Sequence, residues 1–203
     1  MRFRSAFSFN RSKDDVILGR KLSYLLRHAA LKEGLNIKPD GFVAVSELLG
    51  KSLQRYTVDD IKRVVETNNK KRFTLKTING VLEIKANQGH SIPEINELSL
   101  KVLEHVEFDI VHGTFFKYWM KIKTEGLSRM TRNFIHFAKG STGLRQNAEL
   151  FIYINFSKAK ENGLVFFESE NNIVLCAGNA EGFIKTKYFL KAITRDSQIL
   201  EFS

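Results

Sequence analysis

The chain has 203 residues, 43% of them hydrophobic and 17 of them phenylalanine; this is enough apolar material for one large domain or two small ones, and it excludes a disordered polymer. Its net charge of +10 is lopsided: residues 1–92 carry 18 Lys and Arg against 9 Asp and Glu, and the remainder 14 against 13, so a basic lobe suited to a polyanion precedes a near-neutral lobe. The single cysteine, Cys176, excludes an internal disulfide and a thiolate metal cluster, and no apolar stretch is long enough to cross a bilayer.

The first 13 residues are basic and free of acid, which predicts a flexible basic arm with a faint likeness to an organelle transit peptide. Ser12, followed by Asp14 and Asp15, caps a helix whose buried stripe is Leu18, Leu22, Leu25, Leu26 and Ala29. Arg27 and His28 sit beside that stripe, about 100° apart around an α-helical axis. Val45–Leu49 predicts a short second helix, and Thr57-Val58-Asp59-Asp60 a capping box opening a third, which runs to about Asn68. Asn79-Gly80 between the alternating runs Phe73–Ile78 and Val81–Ala86 predicts a hairpin. Three helices and a hairpin outline a winged helix over residues 14–92.

A polar stretch at 93–98 is the expected linker, and residues 99–203 form the second lobe. There the pattern predicts a strand at Phe108–Val111 and a helix at Phe115–Glu125 stopped by Gly126. A central strand within Ala148–Phe156 follows, then a hairpin from Leu164–Phe167 to Ile173–Cys176 through Asn171-Asn172. Tyr118 and Trp119 are expected in the core. One helix packed on a mostly β body makes the fold class α+β.

The residues fit for chemistry are basic and polar, without a carboxylate pair or a nucleophile dyad. Arg27 offers a planar fork to a phosphate and His28 a donor that titrates near neutrality; the competing reading is an ordinary helix end. Arg72 opposes Phe73 across a strand, or is one more cation in the run Lys70-Lys71-Arg72. Gln88, Gly89, His90 and Ser91 either contact phosphate and ribose or form a polar turn. His112-Gly113-Thr114 ends a strand and opens a helix, so it is an anion site or a plain cap at Thr114. Arg132 and His136 share a face if Asn133–Ile135 is a strand, with Ser128 upstream and Arg145 beyond. Cys176, inside an apolar run, is a buried structural thiol.

Taken in order, several segments of the chain resemble the RNA 2′-phosphotransferase family. They are Leu22-Ser23-Tyr24-Leu25-Leu26-Arg27-His28, Asp40-Gly41-Phe42-Val43, Thr57-Val58-Asp59-Asp60-Ile61, Lys71-Arg72-Phe73, Ala86-Asn87-Gln88-Gly89-His90-Ser91, His112-Gly113-Thr114, Gly126-Leu127-Ser128 and Gly178-Asn179-x-x-Gly182-Phe183. The resemblance runs from about Leu18 to Ile193. It implies an N-terminal winged-helix lobe for RNA and a C-terminal ADP-ribosyltransferase-like lobe for NAD⁺, consumed as co-substrate. The implied reaction removes the splice-junction 2′-phosphate from ligated tRNA. The 2′-phosphate displaces nicotinamide from the NAD⁺ ribose, and a neighbouring ribose hydroxyl then releases the RNA, leaving ADP-ribose 1″,2″-cyclic phosphate.

The family's catalytic tetrad falls on Arg27, His28, Arg72 and Arg132. Candidate NAD⁺ contacts are His112, Gly113, Thr114, Ser128, His136 and Arg145; candidate RNA and phosphate contacts are Gln88, Gly89, His90, Ser91, Lys71 and Lys85. No metal is expected, and no membrane; the expected state is a monomer in the cytoplasm or nucleus. The chain departs from the family at Phe134, where His is common, and at Lys85, where Arg is common. Two rivals remain: transfer of ADP-ribose to terminal phosphates of nucleic acids, and a non-catalytic winged-helix RNA-binding protein.

Overall fold

The structure, a computed structural model, describes residues 13–95 and 100–202. The expected Ser12 cap, residues 1–12 of the expected basic arm and residues 96–98 of the expected linker lie outside that range. The described chain is α+β and divides into two compact units, residues 13–87 with 94–95 and residues 88–93 with 100–202. The Gln88–Ser91 segment, expected to close the first lobe, therefore packs with the second unit.

In the first unit α1 (Lys13–Tyr24) runs into one turn of π-helix at Leu25–Ala29. It is followed by β1 (Val43–Ala44), α2 (Val45–Lys51) and α3 (Val58–Glu66). The hairpin β2 (Phe73–Ile78) and β3 (Val81–Ala86) completes a sheet of order β1-β3-β2. The expected stripe is the core: Leu18, Leu22, Leu25, Leu26 and Ala29 are buried, joined by Leu48, Ile61 and Ile84. Each such leucine contributes about 1.5–3 kcal/mol by leaving water. The Thr57–Asp60 capping box forms in full, with the Asp60 N–H donating to Thr57 Oγ1 (3.2 Å) and the Thr57 N–H to the Asp60 carboxylate (2.9 Å). Asn79 and Gly80 take φ of 49° and 77°, the left-handed pair that a tight hairpin turn requires.

The second unit begins with the edge strand β4 (Lys101–Val102), then β5 (Ile110–Thr114), a 3₁₀ turn at Phe116–Tyr118 and α4 (Trp119–Glu125). Next come β6 (Leu127–Ser128), β7 (Ile135–Lys139), β8 (Leu150–Ile154), α5 (Phe156–Glu161), β9 (Phe166–Glu168) and β10 (Val174–Cys176). The chain closes with β11 (Phe183–Ile184), a 3₁₀ turn at Thr186–Tyr188, β12 (Phe189–Thr194) and β13 (Ile199–Leu200). The main sheet has the order β13-β12-β8-β5-β7-β10-β9-β4, and β6 pairs with β11 apart from it. β8 is central as expected, and the β9–β10 hairpin is present.

Three expectations are corrected here. The apolar run 148–156 does not end in strand: Asn155 accepts from the Lys158 N–H (3.1 Å), caps α5 and so gives this unit a second α-helix. The strand expected at Phe108–Val111 runs from Ile110 to Thr114, because His112, Gly113 and Thr114 pair with Ile152, Phe151 and Leu150. Trp119 is buried, but Tyr118 belongs to the 3₁₀ turn and is 46% exposed.

Candidate functional site

Two clusters carry the expected residues, one in each unit. In the first, the α-helical register breaks at Leu25. A π turn bonds i to i+5 and accommodates one residue more than an α turn, a device that recurs where helices build sites. Arg27 and His28 lie on that wider turn, so the expected α-helical spacing between them does not hold. Both line a cavity of about 510 Å³, with Ser23, Tyr24, Asn68 and Arg72 among its other walls.

Arg72 precedes β2 rather than lying on it, so strand alternation does not aim its side chain. It is set by a turn in which Lys71, exposed, takes a φ of 41°. Asn87 Nδ2 donates to the Lys71 carbonyl (2.8 Å), the Asn87 N–H to the Arg72 carbonyl (2.9 Å), and the Arg72 N–H to Asn68 Oδ1 (3.4 Å). Both asparagines are buried. Sequence reasoning missed them as positioning residues, although Asn87 stands inside a motif it singled out.

The cavity wall also holds Asp15, a buried carboxylate that would repel a phosphate. Arg63 answers it with a fork, Nη2 at 2.8 Å and Nε at 3.2 Å from Oδ1, and reaches Asp60 as well (2.6 Å). Those hydrogen bonds raise the Arg63 pKa above its ordinary value. The acid is thus paired within the fold, and the cations Arg27, Arg72 and Arg20 set the sign of the cavity's field.

In the second unit His112 donates from Nδ1 to the His136 carbonyl (2.9 Å), which assigns the Nδ1–H tautomer. Burial pushes the His112 pKa down; the hydrogen bond opposes this, while the Arg145 and Arg132 charges push it further down. The imidazole is therefore neutral at pH 7. Arg132 keeps an exposed surface, yet the protein around its guanidinium lowers its pKa, and Arg145 lowers it further. Two guanidinium groups that disfavour each other's charge, beside a neutral imidazole, are relieved by an anion placed among them. Gly113 makes room for this arrangement: a Cβ there would come within 3.1 Å of Ala148 Cβ and 3.3 Å of Leu144 Cδ2, on the loop that carries Arg145.

Arg132 lies before β7, in the turn that leads into it, so it and His136 do not share a strand face as expected. The turn is pinned at many points. Ser128 Oγ accepts from the Met130 N–H (3.0 Å), and the Arg132 N–H donates to the Arg129 carbonyl (3.1 Å). Arg129 donates through its N–H to the Gly182 carbonyl (2.9 Å) and through Nη1 to the Arg132 carbonyl (2.9 Å). The Asn133 N–H donates to the His90 carbonyl (3.0 Å), so the Gln88–Ser91 segment and the Arg132 turn come together within one unit. Gln88 and Ser91 are half-buried; Gly89, at φ 90°, and His90, 1% exposed, are buried.

Other expected contacts have structural engagements. Thr114 does not cap a helix: it is a buried strand residue whose carbonyl accepts from the Glu149 N–H (2.8 Å). The Phe116 N–H at the start of the 3₁₀ turn donates to the Glu149 carboxylate (2.9 Å), so this helix end is already supplied with an anion. Lys85 is 4% exposed with Nζ 5.1 Å from the Phe42 ring centre, and Phe134 packs edge-on against Phe167 at 5.8 Å. Cys176 is buried, and desolvation pushes its pKa up to about 11. Among the described residues no group of three or more His, Cys, Asp or Glu is arranged to hold a metal.

Comparison with known proteins adds a direct finding. The sequence profile of the RNA 2′-phosphotransferase, Tpt1 / KptA family matches residues 13–178. The chain is 41% identical over 197 residues to a protein of Danio rerio named tRNA 2′-phosphotransferase 1, covering 90% of this chain and 87% of that one. It is 42% identical over 192 residues to the Mus musculus protein of the same name, covering 88% and 77%. It is 34% identical over 209 residues to the tRNA 2′-phosphotransferase of Saccharomyces cerevisiae, covering 94% and 90%.

Proposed function

Since the chain belongs to the RNA 2′-phosphotransferase family, and is on that ground a transferase acting on RNA 2′-phosphates, we propose that it removes the 2′-phosphate from ligated tRNA with NAD⁺ as co-substrate. The first unit is read as a winged-helix lobe and the second as an ADP-ribosyltransferase-like lobe. The observation that carries the reading is the shared cavity of Arg27, His28 and Arg72, which places two guanidinium forks and an imidazole on the wall of a space with room for a 2′-phosphate.

The chemistry asks little of the protein in the way of acid and base. A 2′-phosphate is already an anionic nucleophile at pH 7, so no general base is needed to make it one. Positioning and charge stabilisation are the work to be done. Arg27, His28 and Arg72 are assigned the grip on the 2′-phosphate, with Asn68 and Asn87 fixing Arg72. Arg132 is assigned to the step in which RNA leaves, where charge builds on phosphorus.

The cluster of His112, Arg132 and Arg145 has the donor set and the positive field that the anionic middle of a dinucleotide needs, so NAD⁺ fits the residues present. When bound, NAD⁺ supplies an electrophilic ribose carbon and a leaving group. Neutral His112 offers its remaining ring nitrogen as an acceptor toward a ribose hydroxyl.

The test is incubation with NAD⁺ and an oligonucleotide carrying one internal 2′-phosphate, with the products resolved. RNA with a free 2′-hydroxyl, formed only when NAD⁺ is present, is the expected result. A product in which ADP-ribose stays on a terminal phosphate, or RNA binding without any turnover, overturns it.

A further inference from the structure

Tyr24 is the feature of the cavity that phosphate chemistry leaves unexplained. It closes α1, lines the same cavity as Arg27, His28 and Arg72, and is 54% exposed. Phe42, Phe73, Phe137, Phe156, Phe166, Phe189 and Trp119 are buried; Phe116 and Tyr118 are about as exposed as Tyr24, but neither lines this cavity. Tyr24 therefore presents more than half of its surface to solvent, on the wall of the cavity that holds Arg27, His28 and Arg72. Its neighbour in the cavity is the His28 ring, centroid to centroid 6.4 Å and inclined at 47°.

The geometry fits a nucleotide better than a phosphate alone. In a nucleotide bearing a 2′-phosphate, base and phosphate hang from adjacent ribose carbons. A protein that holds the phosphate on one side chain therefore needs its base platform one side chain away. Tyr24 and His28 meet that requirement: across the π turn their ring centroids lie 6.4 Å apart. Single-stranded or unstacked bases are recognised largely by stacking on aromatic rings, which every base allows. The cavity, about 510 Å³, lies in the range of small-ligand sites, and its other walls include apolar Val16 and Val64.

On these grounds we infer that Tyr24 is a stacking platform for the base of the nucleotide that carries the 2′-phosphate. The inference rests on the reading of the first unit's cavity as the 2′-phosphate site. It makes that site one for a whole nucleotide, tolerant of which base is present. His28 holds the phosphate while Tyr24 keeps the attached base out of its own helical stack, so that the 2′-oxygen side of the ribose faces the arginines.

The experiment measures the affinity of the full chain, without NAD⁺, for two labelled oligonucleotides with an internal 2′-phosphate. One is intact and the other is abasic at the phosphorylated nucleotide. Tyr24→Ala is expected to weaken binding of the intact RNA about 5- to 150-fold, the range for loss of one stacked base. Tyr24→Phe keeps it, because the ring and not the hydroxyl does the stacking. The wild type loses a similar factor on the abasic RNA, and Tyr24→Ala then loses little more.

A Tyr24→Ala loss that persists in full on the abasic RNA overturns the inference, and so does unchanged affinity for the intact one. Alanine at this exposed helical position preserves folding, and an unchanged thermal melt confirms it. Failure of the parent reading registers separately, as lack of NAD⁺-dependent phosphate removal by the wild type.

Discussion

Gly182→Ala tests whether the Arg132 turn is held from behind. Gly182 has a φ of 82°, its carbonyl accepts from the Arg129 N–H (2.9 Å), and its N–H donates to the Asn179 carbonyl (2.8 Å). A Cβ there would sit 2.5 Å from Arg129 Nε, 2.8 Å from Cγ and 3.0 Å from Cδ. The arginine side chain must therefore swing away, and in doing so it releases the Arg132 carbonyl that its Nη1 holds at 2.9 Å. The left-handed alanine costs about 1–2 kcal/mol, and the lost hydrogen bond about 0.5–1.5 kcal/mol. For a chain of this length that lowers the melting temperature by about 3–14 °C.

The effect on turnover is larger than such a loss of stability alone would bring, because a reacting group misplaced by about 1 Å can cost on the order of 10²-fold. A fall of about 10- to 100-fold in turnover is expected, measured well below the new melting temperature. The control is Arg129→Ala. Once the long side chain is gone the added methyl has nothing to displace, so Gly182→Ala should lower turnover little further in that background. If the two substitutions instead multiply, or if Gly182→Ala melts early but turns over at the wild-type rate, the bracing argument is refuted.

Other consequences follow from the same contacts. Thr57→Ala removes the oxygen that accepts from Asp60 and should cost about 1 kcal/mol, or about 2–4 °C in melting temperature, with turnover unchanged at 25 °C. His112 has a folded pKa below its ordinary value of 6.5, so below that pH the unfolded chain binds a proton that the folded chain does not. Stability is then full above about pH 6.5 and falls as pH drops toward the depressed folded value; His112→Asn should flatten that slope in urea melts. Cys176, held near a pKa of about 11 and buried, should resist iodoacetamide at pH 8 in the native protein and react once urea unfolds it. Arg132→Ala should slow appearance of dephosphorylated RNA more than it slows nicotinamide release; equal slowing of both removes its assignment to the second step.

Which features could be read from the sequence follows from how far apart their determinants lie. The Thr57–Asp60 capping box and the Asn79-Gly80 turn are complete within four residues, so residue type alone dictates them. The stripe from Leu18 to Ala29 was legible because burial follows periodicity. The π turn that passes through it was not, since that widening leaves the order of residues unchanged. Thr114 shows the opposite failure: its chemistry suits a helix cap, but pairing with Leu150, 36 residues on, claims it for a strand. Lys85, expected among the RNA and phosphate contacts, is buried with its ammonium against the Phe42 ring, a placement that its charge alone does not announce.

The site residues divide along the same line. Arg27, His28, Arg72 and Arg132 are proposed from type and order, whereas the groups that fix the chain around them have no such signature. Asn68 and Asn87 fix Arg72, Arg63 neutralises Asp15, and Arg129 with Gly182 braces Arg132. None of these supporting groups has a chemistry that marks it out in isolation, because asparagine in a turn and arginine on a helix are ordinary. Their function arises only from a partner brought close by folding. Substitutions at Asn68, Asn87, Arg63 or Gly182 should therefore damage catalysis while leaving every residue of the recognisable motif in place.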